Sequence, residues 1–305
     1  MKTILTNTTK GYLFAFISVV AISNVYIFSK AALSEASLIQ FGVYWFALGF
    51  VWNMIFAVYR KKLPSIAQFK RDHYLLLFIL GLLEMAGTYF FFLAIYTIPN
   101  PAVVSFIGNV NPVFVTVLGF LFLRERFNKW ELIGIGLALL GAFTISYKGS
   151  AVLKDIFIDG TEYMLLSGVI FSISTIIAKK NVEKLGPSIM SLSRTFQLFL
   201  YSLGAMILVG ESFSISKTAF RNIFIGSGLG PFLASLAEYQ SMKYIEASRI
   251  SILGSSKGLF VLFGAFLYFN TLPEKHQIIG GLISIAGVLF ITLGKLMLRS
   301  KAKAY

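Results

Sequence analysis

Residues 101–123 read PAVVSFIGNVNPVFVTVLGFLFL, residues 124–129 read RERFNK, and residues 130–146 read WELIGIGLALLGAFTIS. Two apolar runs are thus separated by a short charged joint. A bilayer core about 30 Å thick takes roughly 20 apolar residues in a helix, so each run is close to the length of one crossing. Working outward, the same unit recurs along the chain. Ten runs are expected to span, near 11–29, 38–59, 73–95, 101–123, 130–147, 161–179, 187–210, 220–243, 248–269 and 276–296. The joints carry the punctuation of helix ends, including Pro64, Pro99 with Asn100 and Pro101, Gly186 with Pro187, and Pro273. None is long enough to hold a soluble domain.

Composition agrees. The 305 residues are 57% hydrophobic and 13% charged, against about a quarter charged in soluble domains. The first run follows Lys2 and Lys10 and has the layout of a signal peptide. It is long for one and nine further runs follow, so it is expected to stay as a span. With no cysteine, disulfides, thiolate metal sites and cysteine nucleophiles are absent, and His73 and His276 both fall in polar stretches between runs. No metal or other cofactor is expected. The net charge of +14 does not form a basic domain, which argues against a nucleic-acid partner.

The positive charges sort by side instead. One set of joints holds Lys2, Lys10, Arg60, Lys61, Lys62, Lys70, Arg71, Arg124, Arg126, Lys129, Lys179, Lys180, Lys184, Lys243, Arg249, Lys295, Arg299, Lys301 and Lys303. The alternate set holds Lys30, Lys148, Lys154, Lys217, Arg221 and Lys275. Lysine and arginine accumulate on the cytoplasmic side of membrane proteins. Both termini are therefore expected in the cytoplasm of a cell with an inner membrane, around an all-α body of ten crossings.

The two halves also resemble each other. GIGLALLG (134–141) aligns with GGLISIAG (280–287) at an offset of 146, and GYLFAFISVVAISNVYIFSK (11–30) aligns with EYMLLSGVIFSISTIIAKK (162–180) near 150. Five helices is an odd number, so a second copy inserts upside down. The expected organisation is two inverted five-helix repeats, 1–150 and 151–305, with a site near the midplane between them.

Ionisable residues inside a membrane are costly and face a bundle interior or a wet cavity. Four are expected inside runs: Glu84, Arg194, Glu238 and Lys257. Their two positive and two negative charges suit mutual pairing, a gate, or a zwitterionic solute such as an amino acid. Polar residues at helical spacing accompany them: Ser105, Asn109, Pro112 and Thr116; Ser191, Arg194, Gln197 and Tyr201; Ser227, Pro231, Ser235 and Glu238; Glu84 and Thr88; and Asn24 alone in the first run. Pro112 and the segment IGSGLGPF around Pro231 mark two helices open to interruption, as hinges or solute contacts. Gly134, Ala138, Ala142, Gly280 and Ser284 read as close helix packing.

On the paired five-helix plan, and on SFIGNVNPVFVTVLGFLFLRERFNKWELIGIGLALLGAF (105–143) with Pro112, Glu125 and the Gly134–Gly141 spacing, the chain resembles the EamA-type branch of the drug/metabolite transporter superfamily. PSIMSLSRTF (187–196) is similar to that family's helix with an arginine near one end. The chain departs from the pattern at Tyr44, at Thr271 with Glu274 displaced, and at SSKGLF (255–260), which introduces Lys257. The resemblance implies a secondary transporter of a small polar metabolite, with export the expected direction. A monomer or homodimer is expected, and Glu84, if desolvated, is a candidate for proton coupling, with uncoupled facilitation equally open. No P-loop is present to drive transport by ATP. The other classes weighed are a membrane-embedded enzyme, for which paired acids are lacking because Asp72, Asp155 and Asp159 all lie in joints, and a non-transport membrane protein.

Overall fold

The computed structural model describes residues 7–62, 67–123, 128–147, 157–245, 250, 253–254 and 256–302, and the side chains of these except at 119–123 and after Ile291. Lys2, Pro64, Arg124, Glu125, Arg126, Lys148, Lys154, Asp155, Arg249 and Lys303 lie outside the described residues. Among those described the protein is helical, with an isolated antiparallel bridge between Tyr147 and Phe157. The helices are α1 (Asn7–Leu33), α2 (Leu38–Tyr59), α3 (Arg71–Thr97), α4 (Pro101–Ile107), α5 (Asn111–Leu123), α6 (Lys129–Ser146), α7 (Thr161–Leu185), α8 (Pro187–Val209), α9 (Lys217–Ser227), α10 (Ser235–Tyr244), α11 (Lys257–Phe269) and α12 (Lys275–Ala302).

Local chemistry sets the ends. Ser37 caps α2 in a reciprocal box with Gln40, both bonds at 3.1 Å, and Asn128 does the same for α6 with Glu131. Asn100 caps α4, whose first residue is Pro101. Gly186 joins α7 to α8 without a loop at φ +78, a conformation that β-carbon-bearing residues avoid, and Pro187 then opens α8.

Among the described residues, seven helical stretches are long and apolar enough to cross a membrane: α1, α2, α3, residues 101–118, α6, α7 and α8. Two shorter apolar stretches, Lys257–Phe269 and Lys275–Ile291, follow. Polarity is inverted relative to a water-soluble fold. Phe16, Ile55, Leu75, Phe78, Tyr89, Leu132, Leu140, Phe143, Leu200, Phe263 and Leu267 face outward, whereas Ser18, Asn53, Glu84, Asn109, Ser174, Thr195 and Ser235 are buried. An apolar surface of this extent is stable only against lipid.

Packing runs in antiparallel pairs. In α3·α7, Gly87 lies beside Ser167 and Glu84 beside Ser174. In α1 against α9–α10, Gly11 meets Ile245, Ser18 meets Ala234, and Phe28 meets Gly226. In α2·α8, Gly42 faces Ser202 and Gly49 faces Thr195. The α6·α12 seam brings backbones together: a β-carbon on Gly141 would stand 2.5 Å from the Ser284 nitrogen, and one on Gly134 would stand 2.6 Å from the Gly287 oxygen. Gly134 thus meets Gly287 while Gly141 meets Gly280, so the two glycine pairs exchange partners reciprocally.

Both interruptions anticipated at proline are present. Between α4 and α5 the chain tightens to a 3₁₀ turn at Gly108–Val110, just before Pro112. Between α9 and α10 it widens to a π segment, Gly228–Ala234, that contains Pro231. Proline has no N–H and its ring presses on the carbonyl one turn earlier, so the helix shifts its bonding on either side.

The glycine seam yields a prediction. G141I cannot keep the α6·α12 approach, and overpacking typically costs about 1–3 kcal/mol. The variant is expected to melt lower in detergent than G136I, whose site has open space around it. Equal melting temperatures would remove the close approach as a determinant of the fold.

Candidate functional site

A cavity of about 280 Å³ lies between α1, α3, α7 and α10, with α2, α8, α11 and the two helix breaks completing its wall. Its apolar side is aromatic, with Tyr26, Trp45, Phe91, Phe92 and Phe171, and its polar side carries Glu84, Thr88, Asn109, Arg194, Glu238 and Lys257. Tyr26, Phe91 and Phe92 lock edge to face at ring separations of 5.1 Å, so one wall is rigid.

The central polar feature is a buried ion pair. Arg194 Nε donates to Glu84 Oε2 at 2.6 Å, and Ser174 Oγ donates to Glu84 Oε1 at 2.7 Å. A longer contact of 3.4 Å runs from Arg194 Nη2 to Thr88 Oγ1. Helices α3, α7 and α8 are therefore pinned together through one carboxylate. Glu84 is 8% exposed and Thr88 one turn away is 4% exposed, as their helical spacing requires.

Glu238 on α10 and Lys257 at the first turn of α11 also line the cavity. Neither side chain forms a hydrogen bond or an ion pair among the described residues, although the two are within electrostatic reach of each other. Of the four ion pairs that two acids and two bases could form, Glu84 with Arg194 alone is made among the described residues. Lys257 stands by the 3₁₀ turn: a β-carbon placed on Gly108 would be 3.6 Å from both Lys257 Nζ and Tyr26 Oη. Beside it Asn109 is 1% exposed, and both its amide nitrogen and its amide oxygen lack a partner. A buried amide with neither group bonded costs about 1–3 kcal/mol per group unless a ligand or water answers it.

The breaks are part of the same wall. Pro112 and Pro231 both line the cavity. Asn53 Nδ2 donates to Pro231 O at 2.9 Å and to Gly49 O at 2.8 Å, and Ser18 Oγ donates to Ala234 O at 3.0 Å. Side chains of α1 and α2 thus bond directly to carbonyls of the π segment.

Two residues expected at the site lie elsewhere. Asn24 does not reach the cavity, because its Nδ2 turns back to Val20 O at 2.9 Å on its own helix. Gln197, three residues past Arg194, is carried round to the α3·α8 contact, where it donates to Leu77 O at 2.9 Å and Ser193 Oγ at 3.0 Å. Conversely, Ser174, Asn53 and Tyr26 went unnoticed in the sequence. Asn53 carried a usable signal as a lone amide within VWNMIF. Ser174 and Tyr26 carried none, since serines and tyrosines are common in such runs.

A prediction follows from the ion pair. Removing one partner of a buried pair leaves a lone buried charge, at a cost of about 3–5 kcal/mol. E84Q and R194M are each expected to melt well below the parent protein. The double variant E84Q/R194M should lose less than the sum of the two, and strictly additive losses would show the contact to be incidental.

Comparison with known proteins adds the family. The model of the EamA-like transporter family matches residues 9–147 and again 160–293. An uncharacterized transporter of Archaeoglobus fulgidus is 24% identical over 93% of this chain and 98% of its own length. One from Methanothermobacter thermautotrophicus is 26% identical over 76% of this chain and 66% of its own length. An uncharacterized inner membrane transporter of Escherichia coli, YhbE, is 22% identical over 77% of this chain and 76% of its own. A solved crystal structure superposes with a TM-score of 0.70 over 94% of this chain and 98% of that one; at 14% identity this speaks to the fold alone. With an apolar exterior, a polar cavity and a family match over most of its length, the chain is a multi-pass membrane transporter and belongs to the EamA-like transporter family.

Proposed function

We propose that the protein is a secondary transporter that exports a small zwitterionic metabolite, such as an amino acid, by alternating access of the cavity to the two faces of an inner membrane. The observation that carries this reading is the charge arrangement. Lys257 and Glu238 face the cavity without bonded partners, while Glu84 and Arg194 satisfy each other. A solute bearing one carboxylate and one ammonium answers both free charges. Its carboxylate goes to Lys257, Tyr26 and the unpartnered amide of Asn109, and its ammonium to Glu238. Desolvating matched charges is tolerated where desolvating one is not. The cavity lies at the small end of the range for ligand pockets, which run from about 300 Å³ upward, and this favours a small solute.

The same proposal includes the architecture: ten crossings as two inverted five-helix repeats, 1–150 and 151–305, with both termini cytoplasmic. Supporting it are the two separate matches to one family model and the lysine and arginine asymmetry between alternate joints. The reciprocal glycine contacts of α6·α12 support it too, since they are the contacts a two-fold relation produces. Proton coupling through Glu84 completes the proposal.

Binding and flux test these points. Amino acids are expected to raise the melting temperature of the purified protein, because a ligand specific to the folded state stabilises it. K257M should weaken amino-acid binding at least tenfold and leave amines without a carboxylate unaffected; E238Q should do the converse for carboxylates without an amine. Equal losses for every ligand would refute the assignment. In proteoliposomes an imposed proton gradient is expected to speed amino-acid flux, and E84Q should remove that acceleration without abolishing exchange.

A further inference from the structure

At opposite ends of the cavity, two lysines make the same unusual contact. Lys30, near the end of α1, donates to three carbonyls at the C-terminal end of α3: Ile95 O at 2.8 Å, Tyr96 O at 3.0 Å and Ile98 O at 2.8 Å. Lys179, near the end of α7, donates to two carbonyls at the C-terminal end of α10, Met242 O and, at 3.1 Å, Ile245 O. The acceptors correspond by position, since Ile95 and Met242 stand 147 residues apart, as do Ile98 and Ile245. The donors stand 149 apart, close to the spacing at which the two halves align.

A lysine on the last carbonyls of a helix is ordinary when it belongs to that helix or its loop, where it neutralises the negative end of the dipole. Here each lysine comes from another helix, and the helices joined are informative. The cavity lies between two antiparallel pairs, α3·α7 on one side and α1 with α9–α10 on the other. Lys30 ties α1 to α3 and Lys179 ties α7 to α10, so both contacts bridge the same two pairs. They do so at opposite ends. The Lys30 end is where Phe28 meets Gly226, and the Lys179 end is where Gly11 meets Ile245. Along α1 those levels are about 26 Å apart at 1.5 Å per residue, close to the thickness of a bilayer core.

We propose that Lys30 and Lys179 are matched latches, each closing one end of the cavity, and that release of one or the other selects the face to which the cavity opens. The proposal rests on the alternating-access reading and extends it from the solute to the gates. A lysine suits the task because its compact charge satisfies several helix-end carbonyls together, and those carbonyls can turn to water or interfacial lipid when the latch parts. Opening at one end then costs the bonds of one lysine and leaves the other latch intact. The charge asymmetry of the joints assigns the Lys179 latch to the cytoplasmic face and the Lys30 latch to the outer face.

The natural absence of cysteine makes a direct test available. A single T175C, in the cavity wall, serves as reporter. Its labelling by a membrane-impermeant maleimide is measured from the outside in right-side-out vesicles and from the inside in inverted ones, with no solute present. K30M is expected to shift the ratio of labelling toward the outer face by about tenfold, the scale of one charged hydrogen bond lost from one closed state. K179M should shift it toward the inner face. The double variant K30M/K179M should return close to the ratio of the parent, a cancellation that general loosening of the fold does not produce. K30Q and K179Q, which keep a donor without the charge, give intermediate shifts and stand in if the methionine variants do not fold. Shifts in the same direction, or a labelled parent whose ratio the variants leave unchanged, would overturn the latches while alternating access survives. A reporter reached from only one face in every variant would overturn alternating access itself, and the latches with it.

Discussion

Inside a bilayer no water is available to satisfy a backbone amide or carbonyl, and the structure answers to that constraint throughout. It makes the described chain helical, and it decides where helices are allowed to break. The first interruption, Gly108–Val110, is buried, and the second, Gly228–Ala234, is buried at Gly230, Pro231 and Ala234. They line the cavity, and the carbonyls of the second take side-chain donors from Asn53 and Ser18. The lysine contacts at the ends of α3 and α10 belong to the same account, since helix-end carbonyls are the other place where backbone acceptors are left over.

The same scarcity of water organises the polar interior. Glu84 is satisfied by Arg194 and Ser174 and thereby ties three helices, a structural use of charge. Glu238 and Lys257 line the cavity without a side-chain bond among the described residues, and the buried amide of Asn109 has no partner. The aromatic residues of the cavity wall provide apolar area around these polar groups.

Much of this was legible in the residues. Apolar run length predicted a membrane protein, because the bilayer's thickness is a physical ruler that acts on any sequence alike. Pro112 and Pro231 predicted the two breaks, because a missing N–H is a property of the residue itself. Ionisable residues within apolar runs pointed to Glu84, Arg194, Glu238 and Lys257, since their cost in lipid leaves them only an interior to occupy. Gly134 and Gly141 announced a close helix contact.

What the sequence determined by itself is therefore what one helix and the bilayer settle between them: spans, ends, breaks, and which residues must turn inward. Tertiary structure alone decided the partners. Gln197 and Arg194 sit on one helical stripe, yet a rotation of one turn's fraction sends Arg194 to Glu84 and Gln197 to the backbone of α3. Asn24 looked as polar as Asn109, but it closes on its own helix while Asn109 has no partner. That Lys30 reaches α3 and Lys179 reaches α10 is likewise invisible in their flanking residues. Periodicity specifies a face, whereas pairing depends on how far neighbouring helices are rotated and shifted, and those quantities exist only once the helices have packed.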